Sequence, residues 1–524
     1  MSDLTVISSD DAQLVEHQLM QILASPYFKS AQQMQKFLKY VVRKTLAKQE
    51  KNLKQYSIAV EGLSLPTDFD SDNNPLIRII AGRVRERLDK YYEKEGLNDP
   101  LLISIDKGSY IPQFQKKVRT HAPEKVKEGV STGPKLALIC FSDKTQNKIS
   151  NRLLFQITDT LAKELSHFLF TRLVVSIPHA DKSESGQAEM KEKYDADFVL
   201  ALYIHQLPDN QYELLYRLLN TEPDEVLWSE SFEIDSNKPI NEHVNILAEI
   251  IASIADIQQG NLFIHWSRKL LENEQSIPKQ YQALVYYRHY ADYLDRSSFA
   301  KGVEVTKQAL ERNTNDVVAN IIYSDYCRRE YVYNYGVIKE PLIAGKKCAE
   351  TAVNLKANSH EAHYAMGQIL FCLKEWDSCL NEFDLARNIS KYHTSIEYGA
   401  GFHMCLIGQW EEGMELVDRA MSLTSSYPTW FHLIPFLNFY RQDMFKEALF
   451  EAKKIHSKNL LHGPLARCVS YAQLNDKEQA QIELKEVIKR YPPFLSGGKK
   501  MLINFLGNEA LAEKVWDGVL KANS

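Results

Sequence analysis

The sequence predicts a multidomain, mainly α-helical protein with a small α/β domain in its middle, and three observations carry that prediction. Its 524 residues exceed what one core serves, at about 100–200 residues per domain. From Tyr281 onward the strand signal vanishes and Gly or Ala recurs with a period of about 34 residues, the mark of stacked helix pairs. Between Lys135 and Leu271 short apolar runs alternate with helical patterns. Apolar residues at 44% and charged residues at 25% are ordinary globular values, which excludes a disordered or fibrous chain.

Residues 1–114 form the first region. "DDAQLVEHQLMQILASPYF" reads as one amphipathic helix and "SAQQMQKFLKYVVRKTLAKQ" as a second, with Met34, Phe37, Leu38, Val41, Val42 and Leu46 on one stripe. A short helix, "LKQYSIAVEGL", and a loop lead to a long helix between Pro75 and Gly96. "PLLISIDKGSYIPQF" then reads as a hairpin around a tight turn, Asp106-Lys107-Gly108-Ser109. Helices followed by a hairpin with a basic tip give the element order of a winged helix-turn-helix.

The net charge of −5 hides a basic stretch: thirteen Lys or Arg stand against seven Asp or Glu from Lys29 to Lys90. At about 100° per residue, Ile77, Ile80, Val84, Leu88 and Tyr91 share the buried stripe of the long helix. Across from it lie Arg78, Ile79, Gly82 and Glu86, flanked by Arg83 and Arg85. An exposed Ile beside Arg, with Gly82 permitting close approach, suits entry into a DNA major groove: Arg for guanine or phosphate, Ile for a thymine methyl. The competing reading is a solvated face, with Arg85/Asp89 and Glu86/Lys90 as i,i+4 ion pairs. Lys36, Lys39, Arg43, Lys44 and Lys54 read as solvated charge.

Residues 115–134 are polar and punctuated by Pro and Gly, a linker. In 135–271, "KLALICF", "LLFQITDTLAKELSHF", "RLVVSI", "FVLALYIHQL", "YELLYRLLN" and "EVLWSESFEI" predict an α/β domain ending in adjacent antiparallel strands. A long amphipathic helix, "INEHVNILAEIIASIADIQQ", follows. Asp195 and Asp197 read as turn residues. In residues 281–493, Gly367, Leu370, Trp376, Cys379, Phe383 and Ala386 hold the small and large positions of a helix pair. Gly401, Met404, Trp410, Gly413, Val417 and Ala420 repeat them, and about six such pairs precede capping helices in 494–524.

These patterns carry resemblances. The repeat units resemble the tetratricopeptide repeat. "YSIAVEGL…FDSDNNPLIRIIAGRVRERLDKYY…ISIDKGSYIP" resembles the N-terminal winged helix of bacterial tetratricopeptide-repeat regulators, relatives often loosely labelled adenylate cyclase, and more distantly the OmpR-type effector domain. The N-terminal strand platform of OmpR-type domains is absent. The middle segment is similar to the N-terminal domain of TolB-like proteins. The likeness implies a recognition helix from Pro75 to Glu95 and a wing of Lys107, Gly108 and Tyr110.

The search for catalysis is negative. No Gly-rich phosphate loop follows the first strand of the α/β segment, and no nucleophile elbow is present. His360-Glu361-Ala362-His363 has i,i+3 rather than zincin spacing, and "SGGKK" at 496–500 reads as a flexible inter-helix turn. The seven cysteines lack a C-x-x-C pair and read as reduced packing residues. No cofactor, no metal and no membrane anchor is expected, and the location expected is cytoplasmic. The expected function is a DNA-binding transcriptional regulator, not an enzyme. Its DNA-contact residues are Arg78, Ile79, Gly82, Arg83, Arg85, Lys107, Gly108 and Tyr110. Its partners are double-stranded DNA, a protein or peptide in the concave face of the repeats and, for paired half-sites, a second copy of itself. The alternatives are an interaction adaptor that does not bind DNA and, more remotely, a nucleotide-linked enzyme.

Overall fold

The computed structural model describes residues 12–29, 31–66, 69, 74, 76–93, 96, 99, 101–106, 108–116, 132–142, 148–181, 195–207, 211–221, 224–235, 243–456 and 458–524. Two compact units divide the chain, residues 1–120 and 121–524.

In the first unit α1 (Ala12–Ala24) and α2 (Gln32–Leu46) precede a short helical segment, α3 (Gln55–Ser57), which runs into a π-turn at Ile58–Gly62. Gly62 sits where a Cβ would come 2.9 Å from Tyr40 Cγ, so the turn packs directly on α2. The long helix α4 (Leu76–Glu93) is capped by Asn74, whose Oδ1 accepts from Leu76 N at 3.0 Å. Strands β1 (Leu101–Ile105) and β2 (Pro112–Lys116) pair antiparallel. The core joins Phe37, Leu38, Val41 and Val42 of α2 to Ile77, Ile80, Val84, Leu88 and Tyr91 of α4, all buried. Met34 and Leu46, at the ends of the α2 stripe, are only partly buried. Ser109 N donates to Asp106 O at 3.1 Å, the bond that closes the expected tight turn, and the paired strands meet at Ile105 and Pro112.

The second unit opens with a five-stranded sheet in the order β4-β3-β5-β6-β7. Strand β3 (Lys135–Ser142) lies parallel to β4 (Arg172–Asp181) and β5 (Phe198–Gln206), with α5 (Lys148–Leu165) as the crossover between β3 and β4. Strands β5, β6 (Gln211–Thr221) and β7 (Asp224–Asp235) run antiparallel, as short turns between consecutive strands require. Asp197 Oδ2 accepts from Lys135 N at 2.8 Å and Asp195 pairs with the Lys135 ammonium, so both acids anchor the start of β3.

Helices α6 (Val244–Ala255) and α7 (Asn261–Leu271) follow. The sequence predicts an amphipathic α6, but ten of its twelve residues are buried, because it is wedged between the α/β layer and the repeats. One continuous apolar core runs from Leu136 in β3 to Ala365, so the α/β layer and the first repeats fold together.

Helix pairs make up the rest: α8 (Lys279–Tyr293) with α9 (Arg296–Arg312), α10 (Val317–Tyr333) with α11 (Pro341–Leu355), α12 (His360–Leu373) with α13 (Trp376–Ile389) and α14 (Thr394–Ile407) with α15 (Trp410–Leu423). They continue as α16 (Leu433–Arg441) with α17 (Phe445–Lys453), α18 (His462–Gln473) with α19 (Lys477–Arg490) and α20 (Phe494–Leu506) with α21 (Glu509–Asn523). The small residues sit at close crossings: a Cβ on Gly367 would lie 2.8 Å from the Phe383 ring, and one on Gly401 would lie 2.5 Å from Gly413 O. "SGGKK" corrects the reading as a turn, since it lies inside α20, where Gly498 packs against Phe494 and Trp516. All seven cysteines are free, and all but Cys348 are buried.

Candidate functional site

Helix α4 presents a polar face opposite its buried stripe. Arg78, Arg83 and Glu86 are exposed, and Ile79 is 47% exposed, unusual for an isoleucine on a helix whose other face is fully packed. Between them Gly82 has open space where a Cβ would stand, so nothing on this unit requires glycine there. The sequence reading places these residues together on one face, and they share it.

Arg85 is different. Its Nε donates to Ile105 O at 3.0 Å and its Nη2 to Ser109 O at 2.8 Å, so the guanidinium clasps both sides of the hairpin turn. Two of its nitrogens are thus held on the hairpin, and no i,i+4 ion pair with Asp89 forms. The planar fork of arginine spans two carbonyls that end the strand and shape the turn, a geometry that lysine lacks. Arg87 is engaged likewise, donating to Tyr27 O. Gly108 is exposed with φ of +88°, a conformation that favours glycine, while Lys107 lies outside the described residues. Tyr110 is half-buried, edge-on to Phe37 with ring centroids 6.3 Å apart. Burial pushes its phenol pKa up, and nearby Arg78 and Arg85 pull it down.

Two other basic residues of this unit are paired with acids. Arg43 pairs with Glu16, and Lys44 lies 3.1 Å from Glu61, which also accepts from Tyr40 OH at 2.8 Å.

In the second unit α6 and the α/β layer bond to the ends of the repeat helices. Glu249 of α6, 3% exposed, accepts from Thr424 Oγ1 at 2.8 Å and Ser425 N at 2.6 Å. Asp256 accepts from Ser395 Oγ at 2.6 Å, and Glu361 accepts from Leu169 N at 2.7 Å. The end of the array returns to α10, where Tyr491 OH donates to Tyr333 O at 2.6 Å and Asn504 Nδ2 to Tyr331 O at 2.7 Å. What remains is a half-open chamber of about 1150 Å³. Aromatic rings line it, among them Tyr287, Tyr333, Tyr364, Phe402, Trp430 and Phe505.

The chamber wall also carries a buried charge cluster. Asp325 takes Arg328 Nε at 2.9 Å and Nη2 at 2.6 Å on one oxygen, and Arg329 Nε at 2.5 Å on the other. The two guanidinium groups hold the Asp325 carboxyl well below the usual carboxylate range despite its burial. The sequence reading missed this cluster, whose only trace is an Asp-x-x-Arg-Arg run on a tyrosine-rich helix.

The His-Glu-Ala-His run does not converge. His363 Nδ1 lies 2.6 Å from Glu382 Oε2, which raises its pKa, whereas His360 is buried edge-on to Phe168 and held down to about 3 by desolvation. Among the described residues no group of three His, Cys, Asp or Glu could hold a metal ion, and no helix is long and apolar enough to cross a membrane.

No protein-family model matches the chain, and no curated protein is found similar to it. Among solved structures it is similar to YrrB, a TPR protein with an unusual peptide-binding site, at 18% identity over 37% of this chain and 95% of that one, with a TM-score of 0.23. It is similar to PilF of Pseudomonas aeruginosa at 12% identity, covering 40% of this chain and 92% of that one, with a TM-score of 0.29. Yeast Tom70 is similar at 12% identity, covering 53% of this chain and 63% of that one, again with a TM-score of 0.29. These likenesses are loose; the helix-pair architecture stands on the packing of this chain's own helices.

Proposed function

We propose that the protein is a transcriptional regulator in which α4 and the β1–β2 hairpin read DNA as a winged helix-turn-helix and the repeat unit receives the signal. The observation that carries the reading is the division of labour along α4. Arg78, Ile79 and Arg83 face outward around Gly82, while Arg85 fixes the hairpin beside them. A rigid pairing of an arginine-bearing helix with a wing is what groove entry plus backbone contact demands. One such helix gives limited specificity, so a dimer on paired half-sites belongs to the proposal. No catalytic step is assigned.

The test is selection of bound fragments from the source genome, comparing the intact protein with Arg78→Ala/Arg83→Ala at two salt concentrations. A shared sequence motif, lost in the double variant and weakened by salt, is expected. Recovery of nothing above background by folded protein would overturn it. The second reading, an adaptor that binds only proteins, is favoured by the helix-pair solenoid itself and would then stand first.

A further inference from the structure

The chamber inside the second unit holds polar groups that the fold leaves without partners, in a place where that is costly. His462 is 5% exposed, lies on the chamber wall with its ring 4.4 Å from that of Phe505, and neither of its ring nitrogens has a hydrogen-bond partner. Leaving a buried donor or acceptor unsatisfied costs about 1–3 kcal/mol. Arg328 and Arg329 engage Asp325 through three of their nitrogens only. Among the described residues Arg328 Nη1 and both terminal nitrogens of Arg329 have no hydrogen-bond partner, and both residues line the chamber.

The charge balance at this wall is uneven. One carboxylate faces two guanidinium groups, leaving a local positive charge on this wall, while the lining as a whole carries six acids against four Lys or Arg. The other buried acids of the lining are satisfied by the protein, Asp256 by Ser395 and two backbone N–H groups and Glu361 by Leu169 and Ser359, while Glu272, Glu274 and Asp292 are exposed, the last paired with Arg288 at 2.8 Å. Tyr333, Tyr364 and Phe402 line the same chamber, and the Arg329 guanidinium lies over the Tyr290 ring at 5.1 Å. Such a volume exceeds that of an ordinary drug-sized pocket of about 300–1,000 Å³, and its few convergent polar groups among aromatic walls are the usual make-up of a ligand site.

We propose that this chamber binds a compact organic anion, a carboxylate or phosphate carried on a planar apolar body. The anionic group would sit on the free guanidinium nitrogens of Arg328 and Arg329, its body would lie between the aromatic walls, and His462 would donate to or accept from a polar substituent. Such an anion has two sources, a free small molecule or the C-terminal carboxylate of a short peptide. The inference concerns the second unit alone, so its failure leaves the reading of α4 untouched.

The test uses the full chain and two dyes, anilinonaphthalene sulfonate and its uncharged parent phenylnaphthylamine. The sulfonate is expected to bind at one site per chain and more tightly than the parent. Gln368 lines the chamber and makes no hydrogen bond that a substitution would break, so Gln368→Trp narrows the space and should weaken binding of both dyes. Arg329→Gln should weaken the sulfonate about tenfold, the loss of one charge-assisted hydrogen bond, and leave the parent unchanged. If Arg329→Gln fails to fold, Gln368→Trp and the comparison of the two dyes decide the matter. Displacement of the sulfonate by phenyl phosphate supports a small-molecule source. Displacement by a short peptide with a free C-terminus, but not by its amide, supports a peptide source. Equal binding of the two dyes, undiminished binding to Gln368→Trp, or displacement by neither competitor overturns the proposal.

Discussion

Two arginine-bearing helices, α4 in the first unit and α10 in the second, make opposite use of the same side chain. On α4 the packed stripe is narrow, and Arg78 and Arg83 stand in solvent where they add charge at little structural consequence. On α10 twelve residues are buried, and Arg328 and Arg329 are pulled inward with Asp325 as their shared counter-ion. The difference teaches that the role of an arginine follows from how much of its helix is enclosed, and Arg85 lies between the extremes, half-buried and clasping backbone.

The contrast breaks most visibly at Asp325. Asp325→Ala leaves two buried guanidinium groups unpaired and should destabilise the second unit by about 3–5 kcal/mol. All six tryptophans lie beyond residue 120, so tryptophan fluorescence in a urea titration reports that unit alone. A loss below about 1 kcal/mol, the range of exposed ion pairs, would mean that the cluster is solvated. Because the Asp325 pKa is depressed in the fold, its stabilisation is present above about pH 4, the ordinary aspartate value, and fades as pH falls below it.

Acid should act earlier through the buried histidines. Desolvation holds His462 down to about 4, so between the unfolded value near 6.5 and that point the unfolded chain takes up a proton that the fold refuses. At pH 5 this removes about 2 kcal/mol of stability relative to pH 7, and His462→Phe should flatten the slope by that amount. An unchanged slope in His462→Phe would show that His462 titrates freely.

Arg85 gives a smaller effect. Arg85→Lys keeps the charge but cannot span Ile105 O and Ser109 O, so it should cost about 1–2 kcal/mol and speed hydrogen exchange along β1 and β2. DNA affinity should fall as well; retention of full affinity by the lysine variant would instead make Arg85 a phosphate contact. Smallest of all, Arg78→Ala/Arg83→Ala should leave stability within about 0.5 kcal/mol, as for surface substitutions generally, while lowering the salt slope of DNA binding by about one for each phosphate no longer neutralised.

Much of this was legible along the chain. The stripe of Ile77, Ile80, Val84, Leu88 and Tyr91 follows from a period of 3.6, and Gly367 against Phe383 follows from the need for close helix crossings. Three features were not legible. "SGGKK" has loop composition, yet neighbouring Phe494 and Trp516 select Gly498 for helix packing. Helix α6 carries a polar face, yet Glu249 finds its partners on residues 175 and 176 positions away. Arg85 follows the same spacing as its neighbours, and only the position of the hairpin separates it from them.

The sequence by itself determined most of the helices and strands, where the basic stretch lies and which positions pack between paired helices, because each depends on periodicity and residue size over a few turns. Tertiary structure alone decided that the array returns on itself, so that Tyr491 meets Tyr333 and a chamber forms around Arg328, Arg329 and His462. That closure sums small rotations over successive helix pairs, and a sum of small rotations is written in no single stretch of residues.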